Sequence, residues 1–209
     1  MILKPMTKEP NHKPHHHGDL RTALIQAGIS LLSEGGKESL TLRKCAARAG
    51  VSHAAPAHHF DGLAGLRAAI AKEGFRLFRL SMLAACDDNN PSDLDRLKGI
   101  CSGYLNFAIE NPALFDLIFS AAPMAGFEAD LEQGTTFAYK VLRDACAPVV
   151  PEGQDPMVVE TQVWSLIHGY TNLYMAGRFG PVDPTQQARG PFDAVMALLD
   201  TFDATTSKT

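Results

Sequence analysis

The stretch Thr41–Phe60, TLRKCAARAGVSHAAPAHHF, decides how this chain is read. It predicts two short helices joined by a tight turn at Ala49-Gly50-Val51. The first runs roughly from Thr41 to Arg48, with Leu42, Cys45 and Ala46 on one inner face. Gly50 stands where the chain must turn sharply, and glycine takes a positive φ without steric cost. Ser52 is placed to cap the second helix, because its hydroxyl can accept from an N–H that otherwise has no partner. This is the layout of a helix-turn-helix, whose second helix can enter the DNA major groove. It implies sequence-specific DNA binding rather than catalysis. The same pattern also suits a plain helical hairpin inside an all-α core, so the rest of the chain has to decide.

Charge is the first deciding feature. The 209 residues carry a net charge of −4, which alone argues against a nucleic-acid partner. The average hides a split. Residues 1–60 hold eight Lys and Arg against four Asp and Glu, a net of +4, whereas residues 61–209 hold eleven against nineteen, a net of −8. Seven of the eight histidines also lie in the first sixty residues. The basic end is therefore the end with the helix-turn-helix pattern, as a phosphate-facing surface requires.

Working outward, residues 1–17 hold Pro and His with little apolar content and read as a flexible arm, able to touch DNA backbone or minor groove. From Asp19 the pattern is helical throughout. Leu20, Leu24, Ala27, Leu31 and Leu32 form one stripe at three- and four-residue spacing, ended by Gly35-Gly36. Asp61-Gly62 breaks the chain after Phe60. A long helix then runs from about Leu63 to Cys86. Asn89-Asn90-Pro91-Ser92 interrupts it, with Ser92 and Asp95 in a capping arrangement. Asn111-Pro112 separates the next helix from a short one, since Pro is favoured at the first helical position. Further helices are expected at about 128–147, from Asp155-Pro156 to about Arg178, and from Phe192 to Phe202. The fold class is all-α: an N-terminal helix-turn-helix domain (18–62), a larger helical bundle (63–203) and a disordered tail (204–209).

With 45% apolar residues the chain can bury a sizeable core. No apolar run reaches the ~20 residues that span a bilayer, and the N-terminus lacks the apolar centre of a signal peptide. A cytoplasmic location without membrane partners is the expectation. The four cysteines, Cys45, Cys86, Cys101 and Cys146, form no CxxC pair, so reduced thiols are expected. No cofactor or metal is implied. His58, His59 and Asp61 are near neighbours whose side chains diverge on a short helix, and they suit DNA phosphate or bases better than a metal.

The second part is rich in aromatics. Trp164, His168 and Asn172 recur every four residues and so share one side of their helix. They put polar handles on an apolar face, as in small-molecule pockets. Tyr104, Phe107, Phe115, Phe119 and Phe137 are expected to join them in an effector pocket, for a moderately apolar ligand with one or two hydrogen-bonding groups. Ordinary core packing is the alternative for any one of these residues.

The residues also carry a family resemblance. GDLRTALIQAGISLLSEGG, TLRKCAARAGVS and the HHF that precedes a long helix resemble the DNA-binding domain of TetR-like bacterial transcriptional regulators. ENPALFDLIFS and WSLIHGYTNLYMAGRF resemble the branch whose C-terminal domain bears a Trp-x-x-x-His-Gly signature, here Trp164, His168 and Gly169. The resemblance covers nearly the whole chain. It implies an all-α homodimer joined through its last two long helices. Its implied mode of action is repression at a palindromic double-stranded operator, released by a small-molecule effector. Residue by residue, it places Thr41 and Arg43 at the DNA backbone, with Lys44 available in support. Ser52, His53, Ala54 and Ala55 start the recognition helix, and His58 and His59 lie near its end. Two positions depart from the family pattern: Ala57 where an aromatic, most often Tyr, is usual, and Leu63 where Lys is frequent. Both usual residues support phosphate contact.

These departures keep a second reading alive, a helical ligand-binding or interaction protein that kept the fold and lost strong DNA binding. A small helical enzyme is the third. It would have to join His168 with Cys101 or Glu160, which nothing in the sequence places together.

Overall fold

The computed structural model describes residues 17–86, 92–120, 138–183, 185 and 189–202. The expected N-terminal arm up to residue 16, the Asn89-Asn90-Pro91 interruption, the first half of the helix at 128–147, Phe137 and the tail at 204–209 lie outside them.

Among the described residues the chain is helical, with one isolated bridge between Arg178 and Gly180. Helix α1 spans His17–Ser39 and breaks at Gly35-Gly36, where Gly36 takes φ 66°. Helix α2 is Leu42–Arg48. A four-residue 3-10 turn, Ala55–His58, follows, and then the long α3, Gly62–Ala84. Helix α4 spans Asp93–Glu110 and α5 spans Pro112–Ser120. Residues 138–146 form α6. Helix α7 is Pro156–Met175. The last element begins as α8, Phe192–Met196, and tightens into a 3-10 turn at Ala197–Leu199. The chain is α-helical again at 200–202, so the helix expected at 192–202 is present over that range with a tighter turn inside it.

Several helix ends follow from single side chains. Thr41 Oγ1 accepts from the Lys44 amide at 3.2 Å, Ser92 Oγ from the Asp95 amide at 3.1 Å, and Asp155 Oδ1 from the Met157 amide at 2.9 Å. Each satisfies one of the amides that a helix start leaves without a partner.

Packing runs α1 against α2, α3 and α5, α3 against α4 and α5, and α4 against α7. The buried side chains form one continuous core. Leu24, Leu32, Leu40 and Leu66 at the N-terminal end are contiguous with Leu97, Leu105, Phe107 and Ile167 at the other. Lys37 on α1 adds an ion pair to Asp116 on α5 at 2.7 Å. The helix-turn-helix unit is therefore docked on the bundle through apolar contact, with α3 and α5 as the connecting elements.

Candidate DNA-contacting face and effector cleft

The turn of the helix-turn-helix forms as its residues dictate. Gly50 takes φ 70°, and its neighbours close the turn through the Ala49 amide on the Cys45 carbonyl (2.9 Å) and the Val51 amide on the Ala46 carbonyl (3.0 Å). Cys45 and Ala46 are fully buried, which fixes the inner face of α2. The outer face carries Arg43 and Lys44, both exposed and, among the described residues, without an ion-pair partner.

The second helix differs from the expectation. Ser52 does not cap it through its side chain; the 3-10 turn Ala55–His58 is preceded by Ala54, with no side-chain cap. Pro56 is the reason. In a helix capped by Ser52, the residue bonding back to the Ser52 carbonyl would be residue 56, and proline has no N–H to give. The Ala55 amide takes that carbonyl instead, at 3.0 Å, which is the tighter 3-10 pairing. The expected recognition helix is thus a short, compact turn. Pro56 is buried beneath it, while Ser52, His53, Ala54, Ala57 and His58 face solvent and Ala55 and His59 are half-buried. Leu63 packs against the core.

The angle of α2 is held by a fork. Arg48 donates from Nη1 to Glu34 Oε1 and from Nη2 to Oε2, each at 2.6 Å, and Nη1 also reaches Ser30 Oγ at 2.7 Å. The Arg48 hydrogen bonds hold the Glu34 carboxyl well below the usual range, at about 2. A depressed carboxyl pKa stabilises the folded form above the ordinary range near 4.5 and loses that effect as pH falls towards 2. The melting temperature of wild type should therefore exceed that of Glu34→Gln above pH ~5, with the gap closing between about pH 4.5 and 2. A gap independent of pH in a thermal-melt series would show that the ion pair is not what holds α2.

Three of the residues expected in an effector pocket, Tyr104, Phe119 and Trp164, meet at a cleft of about 370 Å³, mouth included. Phe75, Phe78 and Met82 come from α3, Tyr104 from α4, Phe119 from α5, Tyr139 and Leu142 from α6, and Trp164 from α7. The rings touch: Phe78–Tyr104, Phe78–Phe119 and Tyr104–Phe119 centroids are 4.7, 5.5 and 5.9 Å apart. A ligand must part them to enter. Tyr104 Oη and His168 Nδ1 share a hydrogen bond of 2.7 Å at the edge of the cleft. Burial pushes the Tyr104 hydroxyl's pKa up, with the nearby Trp164 side chain opposing the rise, and burial pushes His168's down. Both groups are therefore neutral near pH 7 and act as hydrogen-bonding handles rather than charges.

Of the expected pocket residues, Tyr104, Phe119 and Trp164 line the cleft. Phe115 and His168 stand behind them against Phe119. Phe107 is buried against Phe78 and instead borders a second, more polar groove between α3 and α4. Asn172 turns away, donating to the His168 carbonyl at 2.9 Å on its own helix. Phe75 and Phe78 stand out in sequence only as apolar positions of the long helix, and Met82 and Leu142 not at all. Their heptad-like spacing on α3 and α6 reads as core, and only the tertiary fold turns them towards the cleft. The groups required by the enzyme reading do not pair: His168 is bonded to Tyr104 and Glu160 to Tyr139, and the Cys101 thiol is fully buried with its pKa pushed up by desolvation.

Residues 97–199, which contain Tyr104, Phe119, Trp164 and His168, match the family model described as the tetracyclin repressor-like C-terminal domain. The chain belongs to the TetR-like transcriptional regulators. Over 172 residues it is 23% identical to an uncharacterized HTH-type transcriptional regulator of Mycobacterium tuberculosis, spanning 78% of this chain and 73% of that protein. Among solved structures, a protein of unknown function from Rhodococcus sp. RHA1 is 25% identical and superposes with a TM-score of 0.73, covering 91% of this chain and 97% of its own. The transcriptional regulator FadR from Bacillus subtilis, solved in complex with stearoyl-CoA, shares the fold at 14% identity and a TM-score of 0.66, over 85% of this chain and 96% of that one. As a TetR-like regulator the chain is all-α, with a helix-turn-helix at its N-terminal end and a larger helical domain beyond it.

Proposed function

We propose that this TetR-like regulator is a cytoplasmic homodimeric repressor that leaves a palindromic operator when a small, moderately apolar effector enters the aromatic cleft. On this reading residues 18–62 meet DNA and residues 63–203 take the effector and form the dimer. Arg43, Lys44 and the Thr41 hydroxyl proton serve the backbone, and Ser52, His53, Ala54, Ala55, His58 and His59 face the groove. The protein performs no catalysis.

One observation carries the proposal: α3 is both a wall of the cleft and the direct continuation of the recognition turn. Its Phe75, Phe78 and Met82 line the cleft, and its first residue, Gly62, follows Phe60 and Asp61. A ligand that parts Phe78 from Phe119 must move α3, α5 or both. Helix α5 is also tied to α1 through Asp116 and Lys37. A dimer reads two half-sites about 34–36 Å apart, so a small swing of α3 changes their fit. The effector releases DNA only as far as it prefers the non-binding arrangement. An acyl-CoA, the ligand class of the Bacillus subtilis neighbour, matches the apolar walls, but among the described residues no cation lines the cleft to meet its phosphates.

The dimer surface on this reading is the outer face of α7 together with the chain end after α8. Met157, Val158, Leu173 and Leu198 are exposed there by 48–61%. Gly169, the glycine of the Trp-x-x-x-His-Gly signature, sits on the exposed side, and a Cβ added to it meets nothing within 4 Å. The protomer has no need of a glycine there, which costs ~1 kcal/mol relative to alanine in a helix interior; a partner helix approaching closely supplies the need. Gly169→Ile should leave the helical circular-dichroism spectrum unchanged and convert dimer to monomer in sedimentation velocity. A variant that remains dimeric would place the interface elsewhere.

A further inference from the structure

Among the described residues, six of the side chains lining the cleft are aromatic, Phe75, Phe78, Tyr104, Phe119, Tyr139 and Trp164, and none is charged. Aromatic faces carry negative potential, so a ring-lined cleft favours cations over neutral groups and neutral groups over anions. A buried carboxylate adds to this. Glu160 is 7% exposed. Among the described residues it accepts one hydrogen bond, from the Tyr139 hydroxyl (Oη to Oε2, 2.5 Å). Tyr139 itself lines the cleft and packs on Trp164 with centroids 5.5 Å apart. Glu160 lies one helical turn before Trp164, so both project from the same side of α7.

A carboxylate offers two oxygens and about four lone-pair sites. One phenol uses only part of that capacity and, among the described residues, leaves the second oxygen open to a further donor or cation. Arg143, one turn beyond Tyr139, is half-exposed and, among the described residues, its ion pair is with Asp144 at 3.9 Å. Donation to Glu160 is also the largest cause that raises the Tyr139 pKa to about 12. The phenol therefore stays neutral and supplies no charge of its own.

We infer that the effector is a lipophilic organic cation, a tertiary or quaternary amine on an apolar body, with its nitrogen held between Tyr139 and Trp164 on the Glu160 side of the cleft. The inference rests on the cleft being the effector site and adds the charge of the ligand. The acidic remainder of the chain, a net of −8 over residues 61–209, works in the same direction by attracting cations and repelling anions.

Trp164 is the one tryptophan in the sequence, so fluorescence excited selectively at tryptophan reports on the cleft. The full-length protein would be titrated with three probes of similar size: 4-phenylbutyltrimethylammonium, 4-phenylbutanol and 5-phenylpentanoate. The expected result is a saturable change with the cation bound about tenfold or more tighter than the alcohol, and the carboxylate weakest. Glu160→Gln should remove most of the cation's advantage while leaving the alcohol's Kd unchanged. Tyr139→Phe, which frees the carboxylate, should keep the advantage or increase it. Equal affinities, a better-bound alcohol or carboxylate, or an advantage that survives Glu160→Gln intact would overturn the cation inference and leave the effector cleft standing. If no probe perturbs Trp164, the cleft reading falls with it. The wild-type ranking decides the question even if the Glu160 variant does not fold.

Discussion

Replacing Gly103 with alanine is expected to destabilise the protein by about 3 kcal/mol or more, and replacing it with valine to prevent folding. Helices α3 and α4 meet backbone to backbone at this point. A Cβ at Gly103 would stand 2.5 Å from Met82 Cα and closer still to the Ser81 carbonyl oxygen. Neither is the end of a flexible side chain, so the helices themselves would have to part. Ser81 Oγ donates to the Gly103 carbonyl at 2.9 Å, and that bond would be strained in the process. Alanine gains ~1 kcal/mol of helix propensity over glycine, but the steric cost is several times larger and decides the sign. For a chain of this length the loss corresponds to roughly 10 °C in melting temperature. The consequence extends beyond stability, because Phe78 and Tyr104, which face each other across the cleft, lie on these two helices within one turn of the contact. An unchanged melting curve for Gly103→Ala would mean that α3 and α4 do not cross as closely as described.

The second large effect concerns DNA. Arg43 and Lys44 are exposed on the outer face of α2 and, among the described residues, in no ion pair. Their removal therefore leaves the fold alone. Arg48 is the internal contrast, since its guanidinium is committed to Glu34 and Ser30. Each phosphate contact contributes ~0.9 to the slope of log affinity against log salt. Two residues in each of two protomers give a slope shallower by roughly 3 to 4 for the Arg43→Ala, Lys44→Ala double variant, and an operator affinity at least about a hundredfold lower near 0.1 M salt. Fluorescence anisotropy with a labelled duplex at several salt concentrations measures both. An unaltered slope would mean that this face does not meet phosphate, and the reading in which the fold was kept and DNA binding lost would gain. Ala57→Tyr, on the exposed side of the recognition turn, should act in the opposite direction.

The parts legible in sequence were those fixed by local chemistry. Gly36 and Gly50 mark turns because their positive φ is a property of the residue in place. Thr41, Ser92 and Asp155 mark helix starts because a cap acts within three residues. Pro56 was equally visible, yet its missing N–H is what shortens the recognition helix: the i to i−4 pairing that a Ser52 cap requires ends on the one residue that cannot donate. In the second part, Tyr104, Phe119 and Trp164 stood out as large rings on apolar stripes. Their partners did not, because Phe75, Phe78 and Leu142 reach the cleft only through the crossing of α3 with α4 and the placement of α6. Gly103 carries no local signal at all, since its requirement arises from Ser81 and Met82, about twenty residues earlier. Asn172 shows the converse: its spacing put it on the stripe of Trp164 and His168, but a hydrogen bond to its own helix keeps it there without reaching the cleft.

On the proposed reading this TetR-like regulator binds a palindromic site as a dimer. Selection of bound sequences from a random duplex pool, carried out at two salt concentrations, tests it most directly. The expected result is recovery of an inverted repeat whose half-sites lie about one helical turn apart, or a multiple of it, with binding that weakens steeply as salt rises. Recovery of no sequence above background at either concentration would contradict it, leaving the aromatic cleft as the working part of the molecule.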